Sequence, residues 1–430
     1  MTENSDYIVG LDAGSDKIFC AVGRVVRLLP NARDPETGLP RGLGEDHRAI
    51  EIVGTGTARS EGIVRGNVHD MDKAVGCVRK AIDEASKNAG GFRIERVIAA
   101  IGGSDLVSVN CTGSSVVKNN EVQDDDVKLA DKNAQSRAEN VQAEKGHLIK
   151  VVHCGWTCGD TTPLNRPVGL VGERVVANMH AVYSSRLNAA NMRRCLARTG
   201  VTLEQYIPHT WASGIAVLTT TEKEYGSVVF DIGAQTTSVS VFNEGVICYS
   251  YVQPFGADYF TRDVALVFGL GTEDAESLKQ TSGHCLPSKV DPNETVAGLP
   301  STRGMHNRIS RHLLARTLHE RALEFFRLYR NRLARDGVLG KVHNVVLTGG
   351  GSKLRGLQEV AHEVFDLPVR TGKPIHVTPD IPRDPANSVC LGLLLSRFYD
   401  PSLSEPKEKG KSKLNGFQSS LASMFCGNFR

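Results

Sequence analysis

A chain of 430 residues, 40% of them hydrophobic, has material for two or more domains and an ample core. Its 51 basic and 48 acidic residues leave a net charge of +3, too near neutral to argue for nucleic acid as a partner. Ten cysteines without a CxxC pair read as reduced thiols, and no apolar run reaches the roughly 18 residues of a membrane span.

In chain order, two hydrophobic runs at 7–12 and 18–26 predict a β-hairpin with Asp12-Ala-Gly14-Ser15 at its tip. Leu28 to Arg48 reads as a long exposed loop, and a strand resumes at Ile50. Met71, Ala74, Val78, Ala81 and Ala85 recur at helical spacing within 70–89, and Gly90-Gly91 ends that helix. Residues 92–167 look like a separate insert: a strand at 96–101, then a helix opened by Asp124, Asp125 and Asp126, which favour the positive end of its dipole. An α/β pattern returns over 168–222.

Residues 227–242 then repeat the opening pattern, with Asp231-Ile-Gly233-Ala-Gln-Thr236 at the tip. Helices are expected at 258–283 and 305–336. A buried strand at 342–347 runs into Gly349-Gly350-Gly351, followed by helices at 354–365 and 386–398. Residues 400–416 are rich in Ser, Pro, Lys and Glu and read as a flexible linker. Beyond it, Phe417, Leu421, Met424, Phe425 and Phe429 share one face of an amphipathic helix, which Gln418 and Asn428 interrupt.

The chemistry follows from the turns. Glycine lets a backbone approach an anion closely, and successive N–H groups can surround phosphate oxygens. One Asp-x-Gly hairpin is weak evidence; two, each opening a half of the chain, suggest a duplicated fold that clamps a nucleotide. Gly14, Ser15, Gly233 and Thr236 would cradle phosphate, and Lys17 is placed to reach the terminal one. Asp12 and Asp231 would hold hydrated Mg2+. Gly349, Gly350 and Gly351 follow a strand and precede a helix, a setting for an anion or nucleotide. Glu276 and Lys279, three apart, share a helix face and can address a ribose or base edge.

These motifs resemble the actin/Hsp70/sugar-kinase superfamily, and within it the FtsA family of bacterial division proteins. Gly62-Ile-Val-Arg-Gly66-Asn-Val-His-Asp70 and Pro167-Val-Gly-Leu-Val-Gly-Glu-Arg174 are similar to stretches characteristic of that family. The resemblance implies an α/β fold: an actin-like, duplicated (ribonuclease H-like) body with an inserted 1C subdomain and a C-terminal amphipathic helix. It assigns 1–91 and 168–222 to the first half, 92–167 to the insert, 223–257 and 341–399 to the second half, and 258–340 to a smaller lobe, 2B. It also implies ATP and Mg2+ as cofactors. The expected partners are the FtsZ C-terminal peptide, received by 2B with Arg308 and Arg311 as contacts, and further copies of the chain in a head-to-tail filament. Other division proteins would bind through 1C, and an anionic membrane surface would bind 417–430. The location implied is the cytoplasmic face of the membrane at the division site.

The sequence departs from the family where Gly-Gly-Gly-Thr is usual; here it is Gly233-Ala-Gln-Thr236, and Gln235 adds bulk beside the phosphates. No carboxylate lies in His209-Thr-Trp-Ala-Ser213, where many relatives carry a catalytic Glu, so no catalytic residue is assigned and weak or absent ATPase activity is expected. The alternatives are an actin-like type IV pilus assembly protein, which lacks a terminal membrane helix, and a small-molecule kinase, which needs a base that 207–213 does not offer. The Arg-rich helix near 305–336 has a core face and interleaved Glu320 and Glu324, which suits a solvated face better than a nucleic-acid site.

Overall fold

A computed structural model describes residues 7–29, 31–33, 42–43, 46–159, 161, 164, 166–297, 308–378 and 383–399. The linker and the amphipathic segment 417–430 lie outside these residues.

The first half opens with β1 (Tyr7–Ala13), β2 (Lys17–Arg27) and β3 (Arg48–Arg59), an antiparallel meander. β4 (Ile63–Val64) and β5 (Asn67–Val68) pair around Arg65 and Gly66, whose φ angles of 50° and 77° suit the tight primed turn of a two-residue hairpin. α1 (Met71–Asn88) starts at Asp70, whose side chain accepts from the Lys73 N–H. It lies against β3 so closely that a Cβ on Gly56 would meet the Ala81 carbonyl at 2.0 Å. β6 (Arg96–Ile101) follows.

β7 (Val107–Val116), α2 (Asp124–Lys145), β8 (His147–Cys158) and β9 (Arg174–Ser184) form a unit of their own, a three-stranded sheet in the order β7-β9-β8 with α2 on one face. Ala130, Ala134 and Ala138 are the buried stripe of α2. α3 (Arg186–Thr199), β10 (Thr202–Pro208) and α4 (His209–Val217) then return to the first sheet, whose order is β3-β2-β1-β6-β10. This moves the insert expected at 92–167. β6 is an apolar run paired in parallel on both sides, by β1 and β10, and so is a central strand of the first sheet. Arg174–Ser184, expected in the first half, is instead the middle strand of the insert.

After α5 (Thr220–Tyr225), the second half repeats the plan. β11 (Ser227–Ile232), β12 (Thr237–Asn243) and β13 (Val246–Gln253) form a meander. α6 (Asp258–Phe268), α7 (Thr272–Ser282), the short pair β14 (Thr295–Ala297) and β15 (Arg308–Ser310), and α8 (Arg311–Arg335) build a lobe beside it. β16 (Asn344–Thr348), α9 (Leu357–Phe365), β17 (Val369–Thr371) and α10 (Ser388–Tyr399) complete the chain as described. The second sheet runs β13-β12-β11-β16-β17: three antiparallel strands and then two parallel ones, strand for strand the order of the first.

Three helix limits differ from expectation. The helix expected over 258–283 is two, because Gly269 takes a left-handed φ of 63° and ends α6. α8 begins at Arg311, not 305, because the Ser310 side chain caps the Leu313 N–H; Arg308 lies in β15. The glycine run does not open an α-helix directly. Gly350–Lys353 is one 3-10 turn, and Gly356, left-handed at φ 80°, precedes α9.

α4 and α10 lie between the two sheets. One core joins Ile8 and Phe19 of the first sheet, Trp211 and Ile215 of α4, Val229 and Val346 of the second sheet, and Leu391 and Leu394 of α10. A Cβ on Gly392 would stand 2.0 Å from the Ala212 carbonyl, so the two helices touch backbone to backbone. That contact fixes how the two Asp-x-Gly turns stand to one another.

Candidate functional site

The two turns close in the same way: the Gly14 N–H donates to the Lys17 carbonyl at 3.0 Å, and the Gly233 N–H to the Thr236 carbonyl at 2.9 Å. Asp12 and Asp231 end equivalent first strands. Between them is His209, the first residue of α4, with Nε2 3.2 Å from Asp12 Oδ1. Its ring is backed by Gly102, where a Cβ would lie 2.7 Å from Nδ1. Burial alone would push His209 down, but the Asp12 carboxylate and the charge of Asp231 outweigh it and hold the imidazole above its ordinary value. Asp231 is pushed up to about 7, mainly by burial; Asp12 adds to the shift and His209 opposes it.

Lys17 reaches out of the first half. Its Nζ donates to Asn387 Oδ1 at 2.7 Å and to the Ala386 carbonyl at 3.3 Å, in the turn before α10. The same turn receives the glycine loop: the Gly349 N–H donates to the Pro385 carbonyl at 3.1 Å, and Thr348 Oγ1 lies 2.7 Å from Ser388 Oγ. Gly349 also packs on Asp231, where a Cβ would stand 2.4 Å from Oδ1, and Gly351 packs on Ile232. Asp12, Lys17, Asp231, Gly349 and Gly351 are therefore brought together, with Gly350 starting the adjoining 3-10 turn.

Glu276 and Lys279 sit beneath the second turn. The Ala257 N–H donates to the Gly233 carbonyl at 2.9 Å, and Lys279 Nζ donates to the Ala257 carbonyl at 3.4 Å and to Thr261 Oγ1 at 2.8 Å. Lys279 is buried and its ammonium lies 2.7 Å from Glu276 Oε2, so the pair expected on one helix face is bonded together between α6 and α7. Burial would raise Glu276, but Lys279, Thr261 and Gln280 hold its carboxyl below the ordinary range.

Gln235 does not crowd the second turn from within. Its Oε1 accepts the Arg65 N–H at 2.9 Å, while Ser15 Oγ accepts the Gly66 N–H at 3.2 Å. Sequence reasoning missed this hairpin contact, together with Asn387 and His209. His209 meets Asp12 across almost two hundred positions, and no local spacing announces that; its place at the first turn of α4, directly after a parallel strand, was the one available signal.

The residues fit a hydrated cation beside phosphates. Among the described residues, Asp12 Oδ1 is buried without a hydrogen bond of good geometry, despite the nearby imidazole, and the buried Asp231 carboxyl has no cationic side chain bonded to it. Among the described residues no three His, Cys, Asp or Glu side chains converge as direct ligands. An ion here would keep several waters and take oxygens from the phosphates, the Mg2+ habit.

Two sheets of one strand order, joined through α4 and α10 and turning three glycine loops towards half-buried Asp12 and buried Asp231, define an actin-like protein. The fold is shared with the PilM–PilN type IV pilus biogenesis complex (TM-score 0.59, 17% identity, 90% of this chain and 98% of that one) and with MreB5 of Spiroplasma citri bound to ADP (TM-score 0.53, 12% identity, 95% and 100%). The family model for cell division protein FtsA matches residues 228–392, and that for the SHS2 domain inserted in FtsA matches 103–183, the β7–β9 unit. Cell division protein FtsA of Pseudomonas aeruginosa is 31% identical over 397 residues, covering 91% of this chain and 89% of that protein; the Escherichia coli K12 protein is 31% identical over 401, covering 90% and 89%. The chain belongs to the FtsA family of cell division proteins.

Proposed function

We propose that the protein binds Mg-ATP in the cleft between its halves, polymerises, and tethers FtsZ filaments to the cytoplasmic membrane, where later division proteins join. The observation that carries the nucleotide part is the convergence of Asp12, Lys17, Asp231 and Gly349 on one place. Mg2+ would supply positive charge to the phosphates, held through water by Asp12 and Asp231. Gly14, Ser15, Gly233 and Thr236 would take phosphate oxygens at the two turns, and Lys17 would exchange the Asn387 oxygen for a phosphate oxygen. Glu276 is the polar group left for the ribose. The stretch 209–213 carries no carboxylate to serve as a base, which supports binding with weak or no hydrolysis.

Lys17→Ala is expected to weaken Mg-ATP about tenfold or more, the loss of one charge-assisted contact, while leaving the fold intact. Titration of the intact chain with Mg-ATP checks this, and unchanged affinity removes Lys17 from the site.

Membership of the FtsA family favours division over pilus assembly, since the pilus complex matches at 17% identity and in fold alone. On the α6–α8 lobe the two arginines expected to meet the FtsZ peptide differ. Arg311 is bound to Glu294 at 2.6 Å and to the Ser282 carbonyl at 3.1 Å, whereas Arg308 is exposed. Exposed Leu266 and Val267 add an apolar groove suited to the apolar residues of that peptide; its charges are mixed, with Asp263, Glu320 and Glu324 beside Arg321 and Arg327. The insert would meet the next subunit head to tail, a contact that builds open filaments.

Segment 417–430 would fold on the membrane, since about thirteen residues are marginal as a helix in water. One such tail binds weakly, and many in a filament bind stably. Co-sedimentation with anionic vesicles tests the whole reading: the protein should pellet, Phe425→Glu should stay in solution with ATP binding preserved, and an assembly-deficient variant should pellet poorly. An assembly-deficient variant that pelleted as well as the intact protein would break the link between polymerisation and attachment.

A further inference from the structure

The β4–β5 hairpin is gripped by both Asp-x-Gly turns at once. The Arg65 N–H donates to Gln235 Oε1 at 2.9 Å and the Gly66 N–H to Ser15 Oγ at 3.2 Å. Ser15 follows β1 and Gln235 follows β11, so two neighbouring N–H groups aim into the space where turns from different halves meet. The backbone that presents them is fixed. Arg65 holds a φ of 50°, which few non-glycine residues adopt, and a Cβ on Gly66 would lie 2.8 Å from the Gly102 carbonyl. Gly102 also backs the His209 ring, so the hairpin turn and the Asp12–His209 pair share one wall. The Arg65 side chain is exposed and has no hydrogen bond or ion pair among the described residues.

We propose that the Arg65–Gly66 turn is a subsite for the terminal phosphate of a nucleoside triphosphate. Its two N–H groups would exchange Gln235 Oε1 and Ser15 Oγ for phosphate oxygens, and the Arg65 guanidinium would add a charged donor. The inference rests on the nucleotide reading above. Both present acceptors are neutral oxygens. A terminal phosphate is an anion, and charge-assisted bonds are roughly twice as strong as neutral ones, so the exchange is favourable when a triphosphate is bound. A diphosphate brings no group to that position and leaves Gln235 on the hairpin. The subsite therefore discriminates triphosphate from diphosphate. It also gives Gln235 a role: an internal competitor that joins the second half to the first until the triphosphate displaces it.

The test is the affinity of the full chain for ATP and for ADP, each with Mg2+, in wild type, Arg65→Ala and Gln235→Ala, with thermal unfolding as the check on folding. Arg65→Ala should weaken ATP about tenfold and leave ADP within about twofold, since it removes one charged hydrogen bond that only the triphosphate makes. Gln235→Ala should tighten ATP severalfold and leave ADP unchanged. An ATP-to-ADP ratio that Arg65→Ala does not move overturns the subsite while leaving the nucleotide cleft standing. A wild-type chain that binds neither nucleotide overturns both.

Discussion

Gly349→Ala is expected to abolish nucleotide binding and to destabilise the protein by about 2–4 kcal/mol, the combined effect of a clash in a packed interior and a strained backbone. The added Cβ would stand 2.4 Å from Asp231 Oδ1 and 2.6 and 2.7 Å from the carbonyl oxygen and nitrogen of Ile232, with φ at 81°. Neither side can withdraw. β11 and β16 are paired neighbours, with Asp231 opposite Thr348, and Thr348 is itself bound to Ser388 and to the Gly372 carbonyl. The strain therefore falls on the carboxylate that would face the cation. Gly350→Ala is the control: its Cβ would meet nothing nearer than 3.9 Å, and its φ is not positive. Urea unfolding and Mg-ATP titration of the two variants should separate them sharply. Equal behaviour would mean that the glycine loop is not tied to Asp231.

The duplicated plan was legible because it is written in local pattern. Hydrophobic runs on either side of the Asp12 and Asp231 turns predict the two hairpins, and the strand before Gly349 is a plain buried run. What escaped is what long-range pairing decides. The run at 96–101 looks the same whether it pairs within an insert or with β1, and only the hydrogen-bond partners tell them apart. Spacing put Glu276 and Lys279 on one helix face, but it could not say that Thr261 and Ala257 of another helix would take the ammonium. Gln235 was read as bulk beside phosphate because its acceptor role depends on Arg65, in the other half of the chain. His209 had no partner in sight at all, since Asp12 reaches it only through the folding of the first sheet.

The seam between the insert and the second half should be sensitive to acid, through His180. This buried residue of β9 joins the insert to β13: Nδ1 lies 2.7 Å from Asn110 Oδ1 and Nε2 2.9 Å from Ser250 Oγ. Asn110 Nδ2 donates to the Cys248 carbonyl at 2.9 Å and Ser108 Oγ to the Ser250 carbonyl at 2.6 Å, so the seam is bound on both sides of the histidine. With the Asn110 amide nitrogen so used, its oxygen accepts from His180 Nδ1–H, and Nε2 accepts from the Ser250 hydroxyl: a neutral ring satisfies every partner. Burial pushes His180 from its ordinary 6.5 down to about 4. The unfolded chain therefore takes up a proton at higher pH than the folded one. The stability contributed by the neutral ring is present in full above pH 6.5 and is lost progressively as pH falls towards 4. At 1.36 kcal/mol per pH unit, the loss amounts to about 3 kcal/mol across that window. His180→Gln keeps polar atoms in the seam but cannot titrate. It should be the less stable protein at neutral pH, and its deficit against wild type should shrink by about 2–3 kcal/mol when urea unfolding is repeated near pH 4. Other groups that titrate in this range act equally on both proteins and cancel in the difference. A deficit that stayed constant with pH would show that His180 is charged or open to water in the folded protein, and that the insert is not locked to the second half through a dry, neutral histidine.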